Sequence, residues 1–202
     1  AIRKILKKNR HQLDMEAITR LMAEHHIAGV EPLYTIPDAE QALEHFDGFP
    51  YRHPFTVGSD VTCTFYDAGH ILGSAFTLIR ARQNGRDFKI CFTGDIGRFD
   101  KPIIKDPTMN FSEEDRQIDL LIMESTYGDR LHRDRDLTVK EIGEIISAAS
   151  HQHGNLLIPA FSVGRSQEIL YFLGKYYERW ELDRWEVFLD SPMAIKASKV
   201  YW

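Results

Sequence analysis

The sequence predicts an α/β fold in two parts, because its hydrophobic pattern changes character twice along the chain. From Phe55 onward apolar and polar residues alternate, which is the period of a β-strand with one buried face. Beyond Tyr127 strand-like runs alternate with helix-like runs, which is typical of a parallel sheet with helices between its strands. We therefore predict a β-rich domain over residues 1–130 and the beginning of an α/β domain over residues 131–202.

Two short helices are predicted before the first strand. Residues 14–26 carry apolar side chains at helical spacing. The segment TIPDAEQALEHF then combines Thr35, a good N-cap residue, with Pro37 in the first turn of a helix. The apolar stripe of this second helix would consist of Ala39, Leu43 and Phe46.

Three alternating runs predict strands in the β-rich part: VTCTFY, SAFTLIRA and FKICFTG. The pair Asn84-Gly85 lies between the second and third runs, and this dipeptide is a strong signal for a tight β-hairpin. A later run, DLLIMES, is apolar without alternation. It predicts a strand that is buried on both faces.

Helices and strands are predicted to alternate in the second part of the chain. Thr138 and Glu141 form a capping-box pattern at the start of a helix, and Gly154 would end it. The buried face of this helix would consist of Val139, Ile142, Ile145, Ile146 and Ala149. The segments that follow are NLLIPAF, a strand, SQEILYFLGKYYERW, an amphipathic helix, EVFLD, a strand, and SPMAIKASKVYW, a helix. Their order predicts a parallel sheet.

Composition narrows the class of protein. The chain is 43% apolar and contains no apolar run long enough to cross a membrane, and its first residues lack the features of a secretory signal, so we expect a cytoplasmic protein. A net charge of −5 argues against a protein that coats nucleic acid without specificity. Its two cysteines, Cys63 and Cys91, form no CxxC motif, which argues against a thiolate zinc site.

Two polar residues lie where predicted strands end, which is where a rigid scaffold presents reactive groups. His70 follows the strand that contains VTCTFY, and Asp95 follows the strand that contains FKICF. Imidazole nitrogen and carboxylate oxygen are ligands that zinc accepts, and an aspartate can bridge two metal ions. We expect the two groups to converge on one point. From spacing alone, a hydrogen-bonded surface histidine remains the alternative.

Five segments in a fixed order resemble the β-CASP branch of the metallo-β-lactamase superfamily: DAGHILGSA, FTGDIGR, LLIMESTYGDR, LIPAFSVGRSQEIL and FLDSPMA. This family includes bacterial ribonucleases and the endonuclease of messenger-RNA 3′-end processing. The resemblance covers residues 50–202. It implies a partial metallo-β-lactamase αββα sandwich over residues 1–130 and the N-terminal part of a β-CASP domain over residues 131–202.

The resemblance also implies roles for individual residues. His70 is similar to the metal-binding histidine of the third superfamily motif and Asp95 to the metal-bridging aspartate of the fourth, at a centre of two Zn²⁺ ions. Glu124 matches the acidic residue of the first β-CASP motif, which lies near the metals and can orient a histidine. Ser162 and Arg165 belong to the β-CASP insert and could contact a substrate phosphate. Intramolecular pairing of Arg165 is the alternative.

One family motif is missing, since no HxHxDH string precedes His70. We therefore expect a fragment of a larger metal-dependent phosphodiester hydrolase that acts on single-stranded RNA, inactive as the isolated chain. No membrane partner is expected, and a homodimer is left open. Two alternatives remain, a noncatalytic β-CASP homologue that serves as a nucleic-acid-binding or scaffold subunit, and a hydrolase of another ester that uses the same metal core.

Overall fold

The computed structural model describes residues 15–26, 33–152 and 154–202, and the chain divides into two compact units, Ala1–Gly48 and Phe49–Trp202. The predicted domain boundary near residue 130 stays a prediction.

The first unit contains both predicted helices, α1 (Met15–Glu24) and α2 (Ile36–Leu43). The backbone N–H of Thr35 donates to the Asp38 carboxylate at 2.7 Å, and the Thr35 hydroxyl donates to it at 2.6 Å. These two bonds fix the start of α2, as the Thr35 cap predicts. The predicted apolar stripe covers no core, because α2 ends before Phe46 and none of its side chains is buried.

The second unit is built on a five-stranded sheet in the order β1-β2-β3-β4-β5. The strands are β1 (Pro54–Gly58), β2 (Val61–Asp67), β3 (Ala75–Gln83), β4 (Arg86–Phe92) and β5 (Leu120–Ile122). The first four are antiparallel, and β5 runs parallel to β4. Asn84 and Gly85 both have positive φ, the conformation that a two-residue hairpin turn needs, which confirms the predicted hairpin between β3 and β4.

The prediction that DLLIMES is buried on both faces is wrong. The strand forms, but it is only three residues long and lies at the end of the described sheet. Its side chains are therefore 44–51% exposed. An apolar run predicts burial only where a neighbouring element is there to cover it.

One face of the sheet carries the main core. Its buried residues come from β2, β3, β4 and the residue after β2, and they are Tyr66, Ala68, Phe76, Leu78 and Cys91. Ile96, Phe111 and Ile118, which follow β4 in the chain, pack against this cluster. The short helix α3 (Glu113–Arg116) belongs to the same segment.

The second half of the unit contains α4 (Arg135–His151), α5 (Arg165–Lys175), a 3₁₀ turn (Leu182–Arg184) and α6 (Pro192–Tyr201). A second core joins α4 to the turn region, and its buried members are Val139, Ile146, Trp180 and Leu182. The remaining members of the predicted α4 stripe are less covered, since Ile142 is partly buried and Ile145 is exposed.

The predicted start of α4 is wrong by one turn. Asp134 is the N-cap, and its side chain accepts a hydrogen bond from the backbone N–H of Leu137 at 2.9 Å. The Thr138 hydroxyl donates instead to the carbonyl oxygen of Asp134 at 2.7 Å. Both residues can cap a helix, and the cap that lies first in the chain adds a turn to α4.

The predicted strands NLLIPAF and EVFLD, and with them the parallel sheet of the second half, do not form in the described residues. Both segments line one cavity of about 1060 Å³. Leu157 and Phe188, one from each segment, are 89% and 80% exposed. A strand requires hydrogen bonds to a neighbouring strand, and the two apolar segments have no such partner among the described residues.

Candidate active site

Two glycine-containing loops meet at the end of the sheet and build the site. The loop after β2 contains Gly69, and the loop after β4 contains Gly97. The backbone N–H of Gly97 donates to the carbonyl oxygen of Ala68 at 2.8 Å. A Cβ atom on Gly97 would lie 1.7 Å from the carbonyl oxygen of Gly69, so only glycine permits this approach of two backbones.

The backbone contact brings His70 and Asp95 together. His70 Nε2 lies 3.6 Å from Asp95 Oδ2, although the two residues follow different strands. Both side chains are open to solvent, 40% exposed for His70 and 72% for Asp95. The predicted convergence of these two groups is confirmed, and their role as metal ligands stays a prediction.

Glu124 follows β5 and holds the loop that carries Asp95. Its carboxylate accepts a hydrogen bond from the backbone N–H of Ile96 at 2.5 Å, and its own N–H donates to the Thr93 hydroxyl at 3.3 Å. The bond from Ile96, with a smaller contribution from Thr126, lowers the pKa of Glu124. Glu124 is therefore anchored to the residue next to Asp95.

The His70 loop is held by two further side chains. Ser74 Oγ accepts from the backbone N–H of His70 at 3.0 Å and from that of Ile71 at 3.3 Å. Lys101 Nζ donates to the carbonyl oxygen of His70 at 2.8 Å. Burial lowers the pKa of Lys101, and Glu168 opposes this shift. Lys101 could not be identified from the sequence, because its partner is a main-chain atom distant in the chain.

The loop before α5 lies against the His70 loop. A Cβ atom on Gly164, which has a φ of +84°, would lie 3.0 Å from Cγ2 of Ile71. This contact places the segment that contains Ser162 and Arg165 beside the candidate site. Ser162 Oγ lies 3.3 Å from Ser191 Oγ. Arg165 Nη1 donates to the Glu168 carboxylate at 2.8 Å, which is the intramolecular pairing that the sequence left open.

Gln167 holds that loop in place and was missed in the sequence. Its side chain is completely buried. Its Oε1 accepts from the backbone N–H of Gly164 at 2.7 Å, and its Nε2 donates to the carbonyl oxygen of Ser162 at 3.0 Å and to Ser198 Oγ at 3.0 Å. Because both the amide oxygen and the amide nitrogen of this buried glutamine are hydrogen-bonded, Gln167 fixes the position of α5 relative to the site.

Comparison with known proteins gives named relatives. No family model matches the chain. Over 171 residues it is 38% identical to "Ribonuclease TTHA0252" of Thermus thermophilus, an alignment covering 85% of the chain and 37% of the relative. It is 33% identical to "Transcription termination factor FttA" of Thermococcus kodakarensis, covering 75% of the chain and 23% of the relative. "Cleavage and polyadenylation specificity factor subunit 3" of Dictyostelium discoideum is 31% identical, covering 84% of the chain and 21% of the relative.

This chain is a homologue of the β-CASP metallo-β-lactamase ribonucleases. The resemblance of its five segments to that family is confirmed. The chain spans between about a fifth and two fifths of the length of these relatives. No helix in the described part of this β-CASP homologue is both long and apolar enough to cross a bilayer.

The β-CASP metallo-β-lactamase family implies the use of divalent metal ions, and the His70–Asp95 pair can be tested against that expectation. Two ligands of one tetrahedral zinc ion lie about 3.4 Å apart. The measured separation of 3.6 Å between an imidazole nitrogen and a carboxylate oxygen fits this spacing. Within residues 15–26, 33–152 and 154–202, no group of three or more His, Cys, Asp or Glu side chains is arranged to hold an ion. The pair thus fits as part of a ligand set.

Proposed function

We propose that the protein that carries this chain hydrolyses phosphodiester bonds of single-stranded RNA with two Zn²⁺ ions, and that His70 and Asp95 supply two of the ligands. The observation that carries the proposal is the 3.6 Å approach of these two exposed groups at the end of the sheet. The names of the relatives support it, since several are ribonucleases or RNA-processing factors.

The chemistry follows from the donor set. Zinc held there by His70 and Asp95 would lower the pKa of water toward neutrality and would balance the charge of a phosphodiester. His70 offers a neutral nitrogen and Asp95 a negative oxygen, and both remain accessible to a substrate. Glu124 acts as a positioning residue, because its carboxylate binds the backbone N–H next to Asp95.

Ser162 and Arg165 are proposed to contact the phosphate backbone of the RNA. The Arg165 side chain is 61% exposed, and Glu168, its partner in the ion pair, is 14% exposed. Because the Arg165 guanidinium is accessible to solvent, a substrate phosphate can compete with the Glu168 carboxylate for it. The packing of Gly164 on Ile71 keeps this exchange beside His70.

The isolated chain is proposed to be inactive. One nitrogen and one oxygen leave each zinc ion well short of four ligands, so tight binding requires donors from elsewhere in the protein. The HxHxDH motif of the family, which this sequence does not contain, is the proposed source of those donors. The names of the relatives do not mention an oligomeric state, so the homodimer stays a prediction. The cytoplasmic location also stays a prediction.

The proposal is tested by a cleavage assay on the full-length protein with end-labelled single-stranded RNA. We expect cleavage with zinc, none with a chelator, and a loss of at least a hundredfold in His70→Ala. His151→Ala is the matched control, because His151 is an exposed histidine whose ring bonds to the Ser147 carbonyl oxygen of its own helix. RNA binding without zinc-dependent cleavage would favour the noncatalytic binding subunit instead, and cleavage of a lactam or thioester without RNA cleavage would favour the other hydrolase.

A further inference from the structure

An exposed aromatic cluster lies between Glu124 and α4. The ring of Tyr127 and the ring of His132 have centroids 4.1 Å apart, with planes inclined at 43°. The guanidinium carbon of Arg130 lies 5.1 Å from the centroid of Tyr127. The backbone N–H of Gly128 donates to the carbonyl oxygen of Ser125 at 3.0 Å, and that of Arg130 donates to the carbonyl oxygen of Tyr127 at 3.4 Å, so the chain turns at Tyr127. We call Tyr127, Arg130 and His132 the Tyr127 platform.

The Tyr127 platform is open to solvent. Tyr127 is 50% exposed, and Arg130 and His132 are also exposed. Aromatic rings that serve only to stabilise a fold are usually covered by other side chains. Half of the Tyr127 side chain stays accessible beside His132 and Arg130, so the exposed part of the cluster can meet a flat ligand.

The platform lies at the rim of the candidate site. Its segment begins at Glu124, whose carboxylate binds the backbone next to Asp95. Arg98, three residues beyond Asp95, donates to the carbonyl oxygen of Arg133 at 3.5 Å. Lys101, in the same segment as Arg98, donates to the carbonyl oxygen of His70 at 2.8 Å.

The charge around the platform suits a polyanion. Desolvation, followed by the charges of Arg98, Arg130 and Arg165, lowers the pKa of His132. The imidazole ring packs against the Tyr127 ring, and the three arginines supply positive charge around it. Single-stranded nucleic acids are bound by this combination of aromatic faces for the bases and cations for the phosphates.

We propose that the Tyr127 platform stacks one base of single-stranded RNA beside the phosphate that occupies the His70–Asp95 site. This inference rests on the proposed function and assigns Tyr127, Arg130 and His132 as substrate-binding residues. Stacking on a ring is tolerant of sequence, because every base presents a flat π-face. The platform therefore fixes the position of the strand without selecting a base.

The test combines a platform variant with an RNA that lacks one base. Fluorescent single-stranded RNAs, each with an abasic ribose at one position, are titrated with the full-length protein in chelator, so that cleavage does not interfere. For the wild type we expect one abasic position to weaken binding by about tenfold. Tyr127→Ala should weaken binding of the intact RNA by a similar factor and should abolish the sensitivity to that position. Tyr127→Phe should behave as the wild type.

Tyr177→Ala is the matched control, since Tyr177 is an exposed tyrosine that follows α5. Unchanged affinity in Tyr127→Ala, equal abasic profiles in that variant and the wild type, or no RNA binding by the wild type would overturn the inference. Zinc-dependent RNA cleavage, measured in parallel, separates the two proposals. If the wild type cleaves RNA and Tyr127→Ala binds RNA as tightly as the wild type, the platform alone is overturned. If the wild type does not cleave RNA, the proposed function is overturned.

Discussion

The Glu124 carboxylate accepts a hydrogen bond from the backbone N–H of Ile96 at 2.5 Å, across 28 positions of the chain. This bond joins the second residue after β5 to the residue after Asp95. The negatively charged carboxylate of Glu124 therefore holds the loop that carries Asp95.

Replacing Glu124 by Gln should therefore lower stability in a pH-dependent way. Folding lowers the pKa of Glu124, so its stabilising contribution is present above the ordinary glutamate pKa and is lost as the pH falls through the lower value of the folded protein. The difference in thermal midpoint between wild type and Glu124→Gln should shrink over that range. The exposed glutamate variant Glu178→Gln should show no such trend. A difference that is constant with pH would contradict a role for the charge.

Replacing Gly97 by Ala should separate the two loops of the site. The added Cβ would lie 1.7 Å from the Gly69 carbonyl oxygen, so one backbone has to move. We expect a loss of roughly 3 kcal/mol in the free energy of unfolding and a fall in metal affinity. Gly58→Ala is the control, because no atom lies within 4 Å of the position of its Cβ. Urea unfolding of both variants checks the prediction, and equal midpoints would refute the close backbone contact.

Replacing Asp115 by Asn should destabilise the main core. This buried carboxylate accepts hydrogen bonds from the Tyr66 hydroxyl and from Arg80. Because Arg80 is one-third exposed, we expect a modest loss of about 1–3 kcal/mol. The exposed hairpin variant Asp87→Asn should change stability little. Burial raises the pKa of Asp115, but the bonds from Tyr66 and Arg80 lower it by more, so the net shift is downward. The stability of the wild type should therefore decrease as the pH falls from the ordinary aspartate pKa through the lower pKa of the folded protein.

Replacing Lys101 by Met should weaken metal binding without unfolding the protein. Lys101 contacts the His70 carbonyl oxygen and not its ring, so the variant loses the orientation of the loop while every donor atom remains. We expect about a tenfold weaker zinc affinity by competition with a chelating dye. Lys105→Met, at an exposed lysine of the same segment, should bind as the wild type. Identical affinities in the two variants would show that the bond to His70 has no functional effect.

The local part of the fold could be predicted from the sequence, whereas contacts between distant segments could not. The strands β2, β3 and β4 and their Asn84-Gly85 turn follow from alternation and turn chemistry, which depend on neighbouring residues only. The exposure of β5 and the absence of strands in NLLIPAF and EVFLD depend on which elements lie alongside, and an apolar run carries no such information.

The same limit applies to the candidate site. His70 and Asp95 could be found because each follows a strand and both match motifs of one family. The roles of Lys101 and Gln167 could not be predicted, because both side chains bond to main-chain atoms, which no pattern of residues identifies.

The central claim is that His70 and Asp95 share a metal centre, and zinc content tests it most directly. The full-length wild type, His70→Ala, Asp95→Asn and the control His151→Ala would be dialysed against zinc-free buffer and analysed for bound metal. We predict stoichiometric zinc in the wild type and control, and a marked loss in both His70→Ala and Asp95→Asn. Full zinc content in both of these variants would contradict the account.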